Sequence, residues 1–509
     1  MKIIVQAGGL GSRMFGLTRN KPKALISIDG APVLFHLFNK YPNSEFVIIC
    51  DYKKDVLARY LELFAKNIRY ILVESHEKGN IAGIKEAVSF IPEDESFMVI
   101  WSDIILPPEF EIKRIRNGCQ VGLADISSRW KLTNGKLNNV PTNKNGVIGL
   151  WVFDNKNWFS DCPSSGSFTK WLQQKNIPLH PIAVKNCVDV GTFDTYQAFI
   201  SKNAIRSRPY NRIEIKGNTV CKTGINAEAN ALIQNESHWY KWLNRFKFQH
   251  IPRILKYNPL IMEKLEATNL FKLKLSLRNK KIILNRIISI LKEIHRYDKK
   301  PASAVDIYTE YYVKTIRRLQ NIAYVVPLSN NKHININGIK CVNVLRNPDL
   351  LQQIIKKNLL NISTYGIIHG DPQLTNTMVD GKHNIFYIDP RGYFGKSKVY
   401  GDERYDWAKL YFSIAGNFDQ FNIKNFDLDI TNKVKFHIAS NGWESLTPHL
   451  IKKIAPYTEK EISLIQIIIW LSMAAVAWED FDSICVAFYN GNYLLTKWIQ
   501  KYEPELNSL

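Results

Sequence analysis

The stretch from residue 368 to residue 391, IHGDPQLTNTMVDGKHNIFYIDPR, constrains the fold of this chain more than any other feature. It places His369, Asp371, Asn376 and Asp389 in a fixed order along the sequence. Asp371 can accept the proton of a hydroxyl group, whereas Asn376 and Asp389 can hold Mg²⁺ against the phosphates of ATP. The separation of the two aspartates suits a short hairpin that would bring both carboxylates to one magnesium cluster.

A second motif, rich in glycine, lies near the N-terminus, directly after the strand-like run Ile3–Val5. Glycines let backbone N–H groups approach the oxygens of a triphosphate closely and form an anion-binding nest. Arginine adds a forked cation for phosphate, and lysine adds a point charge. A glycine loop alone is weak evidence, because tight turns also use glycine. The residues of this motif are Gly8, Gly9, Gly11, Ser12, Arg13 and Lys23.

Length and charge set the broad class of the protein. A chain of 509 residues suggests two to four domains. The formal net charge of +22 could help the protein to bind nucleic acid, anionic lipid or anionic substrates. The lysines are scattered and accompany abundant asparagine and isoleucine, which favours compositional bias over a nucleic-acid partner. We therefore expect small-molecule substrates and no nucleic acid, with oligomerisation left open.

Cysteine usage and hydropathy favour a reduced, cytoplasmic protein. The seven cysteines include no C-x-x-C pair, which argues against a zinc site and against disulfides. The N-terminal residues run directly into the glycine loop, so we expect no signal peptide. The most apolar stretch, Ile462–Trp478, is short for a membrane span and has acidic flanks. We predict a buried helix there and no stable membrane insertion.

The order of predicted elements divides the chain. Residues 1–200 alternate β-branched runs with helical stretches, which predicts a mostly parallel sheet covered by helices. Ligands bind at the carboxyl ends of such strands, where the glycine loop and Asp103 lie. After residue 270 we predict mainly helix, apart from the region of the 368–391 stretch. The predicted divisions are a first domain 1–203, a linker 204–210 and a second domain 211–509, the last with a small lobe 211–265 and a helical lobe 266–509.

The N-terminal motif resembles the sugar-1-phosphate and phosphocholine nucleotidyltransferase family, whose G-G-x-G-[ST]-R string and following P-K pair match residues 8–23. The family's base-reading loop corresponds to residues 79–83 in altered form, and its two metal aspartates correspond to Asp103 and Asp189. The resemblance covers about residues 1–200 and implies a Rossmann-like, GT-A-like fold. It also implies catalysis by Arg13 and Lys23, with Mg²⁺ on the two aspartates. The implied nucleotide contacts are Gly8, Gly9, Gly11, Ser12, Gly79, Asn80, Ala82 and Gly83.

The implied reaction is nucleotidyl transfer. A substrate phosphate attacks the α-phosphorus of a nucleoside triphosphate, and pyrophosphate leaves. The nucleophile is already anionic, so the reaction needs no general base. The short domain mildly favours CTP or UTP as the nucleotide substrate.

Residues 211–509 resemble the aminoglycoside phosphotransferase/choline kinase family, whose H-G-D-x-x-x-x-N motif is met in full by residues 369–376. The resemblance implies an α+β, bilobal, protein-kinase-like domain. Asp371 would be the catalytic base, and Asn376 and Asp389 the metal ligands. The resemblance implies that Lys222 would hold the ATP phosphates and that Glu236 would orient this lysine, with Glu228 as the competing choice. It also implies a nucleotide contact at Glu263, near the adenine hinge. A further family aspartate, Asp406, would brace the catalytic loop.

One element departs from this family. The family has an aromatic residue directly after the metal aspartate, whereas this chain continues from Asp389 with Pro390, Arg391 and Gly392. Arg391 could pair with phosphate or with an acidic neighbour. The departure suggests a subfamily distinct from the antibiotic kinases.

The two predicted reactions fit in sequence. We predict a bifunctional cytoplasmic enzyme that phosphorylates a small alcohol (a polyol, sugar or amino alcohol) with ATP, then converts the phosphate ester to a nucleoside-diphosphate-activated precursor for surface polysaccharide. The alternatives are the same two folds with unlinked substrates, or one inactive, regulatory domain. An amino alcohol would favour an aromatic cage, for which Trp470 and Trp478 are candidates, although core packing is the simpler role for them.

Overall fold

The computed structural model describes residues 1–112, 117–202 and 211–508. It contains two compact units, the first comprising Met1–Arg206 with Glu479–Asp482 and the second Ser207–Trp478 with Ser483–Leu509. The predicted linker 204–210 lies outside the described residues, so the proposed domain limits stay a prediction. The grouping of Glu479–Asp482 with the first unit was not part of the predicted division.

The first unit is built from short strands and helices in alternation. Its strands are β1 (Lys2–Gln6), β2 (Ser27–Ile28), β3 (Ala31–Pro32), β4 (Glu45–Ile49), β5 (Arg69–Val73), β6 (Phe97–Trp101), β7 (Ile104–Ile105), β8 (Cys119–Ala124), β9 (Lys131–Thr133), β10 (Lys136–Asn138), β11 (Gly146–Phe153), β12 (Leu179–Ala183) and β13 (Val188–Asp189). Its helices are α1 (Val33–Lys40), α2 (Lys54–Phe64), α3 (Asn80–Val88), α4 (Phe168–Gln174) and α5 (Phe193–Lys202).

The main sheet of this unit runs in the order β10-β9-β11-β6-β1-β4-β5, with β8 pairing β11 and β12. Strands β6, β1, β4 and β5 are parallel, whereas β11 runs antiparallel to β6. Ile3, Ile4 and Val5 in the central strand β1 are fully buried, as expected for a strand covered on both faces. The predicted mostly parallel, Rossmann-like fold is confirmed.

The second unit combines small antiparallel sheets with many helices. Its strands are β14 (Asn211–Lys216), β15 (Thr219–Gly224), β16 (Ile254–Tyr257), β17 (Leu260–Glu263), β18 (Ala267–Asn269), β19 (Lys299–Pro301), β20 (His333–Ile336), β21 (Ile339–Val342), β22 (Thr364–Ile367), β23 (Thr377–Asp380), β24 (Ile385–Tyr387), β25 (Tyr400–Gly401), β26 (Phe426–Ile430) and β27 (Val434–Ile438). Its helices are α6 (Ala227–Leu243), α7 (Leu277–Arg296), α8 (Ala304–Tyr308), α9 (Lys314–Ile322), α10 (Pro348–Leu359), α11 (Glu403–Ile414), α12 (Phe418–Asn422), α13 (Thr447–Lys453), α14 (Glu459–Met473) and α15 (Phe481–Tyr502).

Two features of this unit position its candidate site. The N-terminal sheet, β14-β15-β17-β16, packs against α6. Further along, β23 and β24 form a hairpin that β18 joins at its edge. The kinase-like α+β architecture predicted for this unit is confirmed.

The chain after residue 270 is mainly helical, as predicted, but it also contains strands that the prediction missed. Strands β20, β21, β26 and β27 form a four-stranded sheet in the order β21-β20-β27-β26 among the described residues. The sequence contained a signal for the first half of this sheet, the pair Asn337-Gly338. In the structure these two residues join β20 to β21 with positive φ angles of 49° and 82°. An Asn-Gly pair between apolar runs is a strong hairpin signal.

The apolar stretch 462–478 forms most of the buried helix α14, as predicted. Trp470 on this helix is fully buried, and its ring centroid lies 4.6 Å from that of Phe412 and 5.0 Å from that of Phe421. These contacts support the core-packing interpretation of Trp470 over an aromatic cage. Among the described residues, no helix combines the length and apolar character needed to cross a membrane.

Candidate active sites

In the first unit, the parallel register of β1 and β6 brings the candidate residues together. Gln6 pairs with Trp101 at the carboxyl ends of these strands. The glycine loop leaves β1 there, and Asp103 follows β6 two residues later. Strand β13 pairs with β7 so that Asp189 lies opposite Ile104. The sheet therefore places the loop and both predicted metal aspartates at one edge.

The two aspartates face each other across Gly191. A Cβ atom on Gly191 would lie 2.7 Å from Asp103 Oδ2 and 2.7 Å from Asp189 Oδ1. The Lys23 ammonium forms an ion pair with the Asp103 carboxylate, and the N–H of Gly191 donates to Asp189 Oδ1 at 2.6 Å. Only a residue without a side chain fits between these carboxylates.

The electrostatics of this pair suit a bound cation. Burial and the neighbouring Asp103 carboxylate raise the pKa of Asp189 to about 6, although Gly191 N–H, Lys23 and Arg13 oppose the rise. Within the described part of the chain, no group of three or more His, Cys, Asp or Glu side chains is placed to hold a metal ion. Mg²⁺ is commonly held by one or two carboxylates together with substrate phosphates. Two facing carboxylates beside the glycine loop, which is predicted to bind phosphate, fit that pattern.

The glycine loop presents open backbone. Gly11 has a φ of 64°, and its missing side chain makes room for Thr18, whose hydroxyl donates to Gly11 O at 3.1 Å. A Cβ atom on Gly8 would lie 2.4 Å from Asp51 Oδ2, whereas nothing lies within 4 Å of the corresponding position on Gly9. The following residues, Ser12 and Arg13, are exposed or partly so. The loop can therefore approach a triphosphate from its Gly9 side.

The predicted base-reading loop has a structural role in the protein. Gly79 has a φ of 98°, and a Cβ atom there would lie 2.1 Å from Gly166 O. The Asn80 side-chain oxygen accepts from Phe168 N at 2.9 Å. Ala82 and Gly83 are buried, with Gly83 packed against Ile49. The loop ties the start of α3 to the start of α4, so its contact with a base stays a prediction.

In the second unit, Lys222 on β15 is buried between two carboxylates. Its ammonium lies 2.6 Å from Glu236 Oε2 and 2.7 Å from Asp389 Oδ1. Glu236 is on α6, whereas Glu228, the competing choice, is exposed in the first turn of the same helix. The structure therefore brings together Lys222, Glu236 and Asp389. Glu263 lies apart from them at the end of β17, where it accepts from Arg253 N at 2.9 Å.

The β23–β24 hairpin joins the two predicted metal ligands. The N–H of Ile388 donates to Asn376 O at 3.0 Å, so Asp389 lies directly beside Asn376 along this hairpin. The Asn376 amide nitrogen donates to Asp371 Oδ2 at 2.8 Å, and a metal would thus be held by the amide oxygen. Asp389 has a φ of 57°, a conformation that carries strain in a non-glycine residue and is often found at functional sites.

Asp371 is held by several polar side chains. Gln373 Nε2 donates to Asp371 Oδ2 at 2.9 Å, and Lys409 Nζ lies 2.9 Å from Asp371 Oδ1. His369 accepts from the Asp371 N–H through Nδ1 at 3.1 Å. Burial lowers the pKa of His369, which favours the neutral ring that this contact needs. These contacts hold the carboxylate in one orientation beside a positive charge.

The loop that carries Asp371 is braced by Asp406, as predicted. The fully buried Asp406 carboxylate accepts the N–H groups of His369 at 2.9 Å and Gly370 at 2.7 Å. His295 Nε2 lies 3.0 Å from the same carboxylate. Three contacts to one buried carboxylate fix the backbone from which Asp371 projects.

Arg391, the departure noted in the sequence, pairs with an acidic neighbour. Its Nη2 donates to Glu310 Oε2 at 2.7 Å, and its backbone N–H donates to His369 O at 2.9 Å. Its guanidinium also lies over the ring of Tyr393, 4.2 Å from the ring centroid. Of the two partners considered for Arg391, phosphate and an acidic neighbour, the structure contains the acidic neighbour, Glu310.

Sequence reasoning missed Lys409 and Glu310. Lys409 is three residues after Asp406 on α11, and residues three apart lie on one face of a helix. That spacing could have pointed to Lys409 once Asp406 was placed against the catalytic loop. Glu310 lies in a single π-helical turn, Thr309–Val313, and its sequence neighbours carry no comparable signal.

A titration tests the electrostatics of the carboxylate pair in the first unit. In the metal-free protein, Asp103→Asn should lower the pKa of Asp189 from about 6 by roughly one pH unit, because it removes the charge that disfavours ionisation. Carbon-13 NMR of labelled aspartate side chains would follow the titration, with Asp189→Asn identifying the signal. The exposed Asp94→Asn is the matched control, and an unchanged Asp189 pKa in Asp103→Asn would contradict the facing geometry.

Two family models match different parts of the chain. Residues 3–131 match the MobA-like NTP transferase domain, and residues 210–392 match the phosphotransferase enzyme family. The bifunctional protein GlmU of Methanocaldococcus jannaschii is 29% identical over 173 residues, covering 31% of this chain and 40% of that protein. Glucose-1-phosphate cytidylyltransferase of Salmonella typhimurium is 27% identical over 129 residues, covering 20% of this chain and 50% of that protein.

A solved structure, that of HddC from Yersinia pseudotuberculosis, covers 40% of this chain and 99% of its own, with 19% identity and a TM-score of 0.34. The chain spans between two fifths and half of the length of the two curated relatives named above. The chain thus carries an N-terminal NTP transferase domain and a C-terminal phosphotransferase domain.

Proposed function

We propose that this protein is a bifunctional enzyme that phosphorylates a small hydroxyl compound with ATP and then transfers a nucleotidyl group from CTP or UTP to the phosphate ester. The observation that carries the proposal is that each of two domains of different families holds its own set of carboxylates beside a lysine. In the first domain Lys23 pairs with Asp103, and in the second Lys222 pairs with Asp389.

The C-terminal domain is proposed to catalyse phosphoryl transfer. Asp371, fixed by Gln373 and Asn376, would accept the proton of the acceptor hydroxyl. Asn376 and Asp389 would hold Mg²⁺, which supplies charge neutralisation at the phosphates of ATP. Lys222, oriented by Glu236, would bind those phosphates from the side of β15.

The N-terminal domain is proposed to catalyse nucleotidyl transfer. The nucleophile is a phosphate ester and is already anionic, so the chain needs to supply positioning and positive charge rather than a base. Arg13 and Lys23 would bind the triphosphate together with the backbone of the glycine loop. Asp103 and Asp189 would hold Mg²⁺, which would lessen the negative charge at the α-phosphate.

The chemistry of the two sites suggests their order. The transferase requires a phosphate ester, and a kinase acting on an alcohol makes one. A relative of the first domain is named for a sugar phosphate and a cytidylyl group, which supports a small phosphate ester and CTP as substrates here. We place the enzyme in the cytoplasm, where ATP, CTP and UTP are available, and its product in the supply of activated units for surface polysaccharide.

Two alternatives use the same folds. In one, the domains act on unrelated substrates. In the other, one domain is inactive and regulatory. The completeness of both charged sets favours two working sites over a regulatory domain.

The first test of this proposal separates the two activities in the full chain. Asp371→Asn should reduce ADP formation at least about a hundredfold, the scale of a lost general base, while pyrophosphate release from CTP or UTP with a supplied phosphate ester persists. Asp103→Asn should do the reverse, because it removes a charge that would hold Mg²⁺. ADP and pyrophosphate would be measured separately in a screen of polyols, sugars and amino alcohols.

The two variants serve as controls for each other, because each should keep the activity that the other loses. Circular dichroism would establish that both remain folded. A folded Asp371→Asn variant that loses both activities would contradict the assignment of one reaction to each domain.

The second test addresses the lysine of the kinase site. Glu236→Gln removes a buried charge from Lys222 and should lower kcat/KM for ATP about tenfold to a hundredfold, since a hydrogen bond to a charged group is worth about 1.5–3 kcal/mol. Glu228→Gln on the exposed face of the same helix is the matched control and should leave kcat/KM unchanged. Equal effects of the two substitutions in ADP-release assays would overturn the assigned role of Glu236.

A further inference from the structure

Four cationic side chains of the second unit are here called the cation cluster: Lys314, Arg318, Arg391 and Lys409. The last of them lies beside Asp371. Lys409 contacts Asp371 directly, with Nζ 2.9 Å from Oδ1. Arg391 and Lys409 both lie over the ring of Tyr405, at 5.4 Å and 5.9 Å from its centroid. The cluster thus starts at the proposed catalytic base and extends away from it.

The members of the cluster are linked to one another through a shared carboxylate. Glu310 accepts from Arg391 Nη2 at 2.7 Å and also forms an ion pair with Lys314, one helical turn away. Arg318, on the next turn of the same helix, donates to Ser472 Oγ at 2.7 Å. Three of the four cations therefore share two carboxylates, those of Glu310 and Asp371, whereas Arg318 contacts a hydroxyl group.

Two observations indicate that this positive charge is incompletely balanced. Burial and the neighbouring Arg391 guanidinium lower the pKa of Lys314 to about 7, even though Glu310 opposes the shift. The lysine is therefore only partly charged at neutral pH, and a bound anion would favour its charged form. In addition, Arg391 Nη1 is buried and has no hydrogen-bond partner among the described residues. A buried guanidinium nitrogen without an acceptor is unfavourable, and an anion placed beside it would satisfy it.

From this placement we infer that the hydroxyl compound phosphorylated by the C-terminal domain is itself an anion, carrying a phosphate or carboxylate group that the cation cluster binds. The inference rests on the proposed kinase function and narrows its substrate class. The acceptor hydroxyl would lie at Asp371, and its acidic group would lie against Lys314, Arg318 and Arg391.

The position of the cluster distinguishes it from the proposed ATP site. Lys222 and Asp389 lie on the β15 side of the second domain's site and would serve the nucleotide phosphates. Lys409 and Arg391 instead contact Asp371 and Glu310. Asp371 keeps 16% of its side-chain surface exposed and Lys314 keeps 17%, so both side chains are in contact with solvent.

A cationic acceptor, such as an amino alcohol, is disfavoured by the same geometry. Its ammonium group would lie near Lys314, Arg318 and Arg391, and like charges repel most strongly where water is excluded. Trp470, a candidate for an aromatic cage, is instead packed against Phe412 and Phe421 in the core. Polyols and sugars that carry an acidic group remain as the favoured class.

The test compares matched probes that differ in charge. Calorimetry on the full chain, saturated with ADP and Mg²⁺ to fill the nucleotide site, would measure binding of glycerol 3-phosphate against glycerol, of mannose 6-phosphate against mannose, and of choline. We expect the phosphorylated member of at least one pair to bind at least about tenfold more tightly than its neutral partner. We expect no binding of choline.

Variants locate the anion site. Lys314→Met and Arg318→Met should each weaken binding of the phosphorylated probe about tenfold, without changing the affinity for ADP. Arg317→Met makes the same substitution at the exposed neighbour of Arg318 and should change neither affinity. Because ADP affinity is read separately, a misfolded variant would be recognised by its loss of ADP binding.

The outcomes that would overturn the inference differ from the outcome that would overturn the kinase proposal. Tighter binding of neutral probes or of choline would overturn the inference and leave the kinase proposal intact. So would tight binding of the phosphorylated probe that the Lys314 and Arg318 substitutions leave unchanged, since the anion would then lie elsewhere. A wild-type chain that binds no ADP would overturn the proposed kinase function, and the inference with it.

Discussion

Both candidate sites depend on pairing a buried or half-buried lysine with the carboxylates that would bind the metal or act as the base. Removing a carboxylate from water costs several kcal/mol unless a cation compensates it. Lys23 compensates Asp103, Lys222 compensates Asp389 and Lys409 compensates Asp371. These pairs let the folded chain keep negative charges close together at the sites where Mg²⁺ and phosphate would meet.

The pairs also suggest how each site would change when a nucleotide binds. A lysine that neutralises a carboxylate in the free protein is near the place where phosphate oxygens would arrive. Lys222 is held by Glu236 as well as by Asp389, so it could keep one partner while contacting phosphate. Lys23 has Asp103 as its ion-pair partner among the described residues, and it would be shared between that carboxylate and the triphosphate.

The site residues that could be predicted from the sequence are those whose type and spacing are restricted by the proposed reactions. The hairpin that precedes Asp389 followed from the separation of Asp371 and Asp389 in the sequence. The brace at Asp406 and the pairing of Lys222 with Glu236 were implied by the family resemblance. Glu310 was not predictable, because its contact with Arg391 joins residues 81 positions apart through the packing of a helical turn. The sheet formed by β20, β21, β26 and β27 was not predicted, although the Asn337-Gly338 pair indicated the hairpin of β20 and β21.

The proposed order of reactions is the central claim, and the fate of one phosphorus atom tests it most directly. Once an acceptor is identified, the full chain would be incubated with that acceptor, CTP or UTP, Mg²⁺ and ATP labelled at its γ-phosphate. The account predicts that the label enters the phosphate ester and then the phosphate nearest the alcohol in the nucleoside-diphosphate product, with none in pyrophosphate. Label that accumulates in the ester and never enters a nucleoside-diphosphate product, with either nucleotide, would contradict the account.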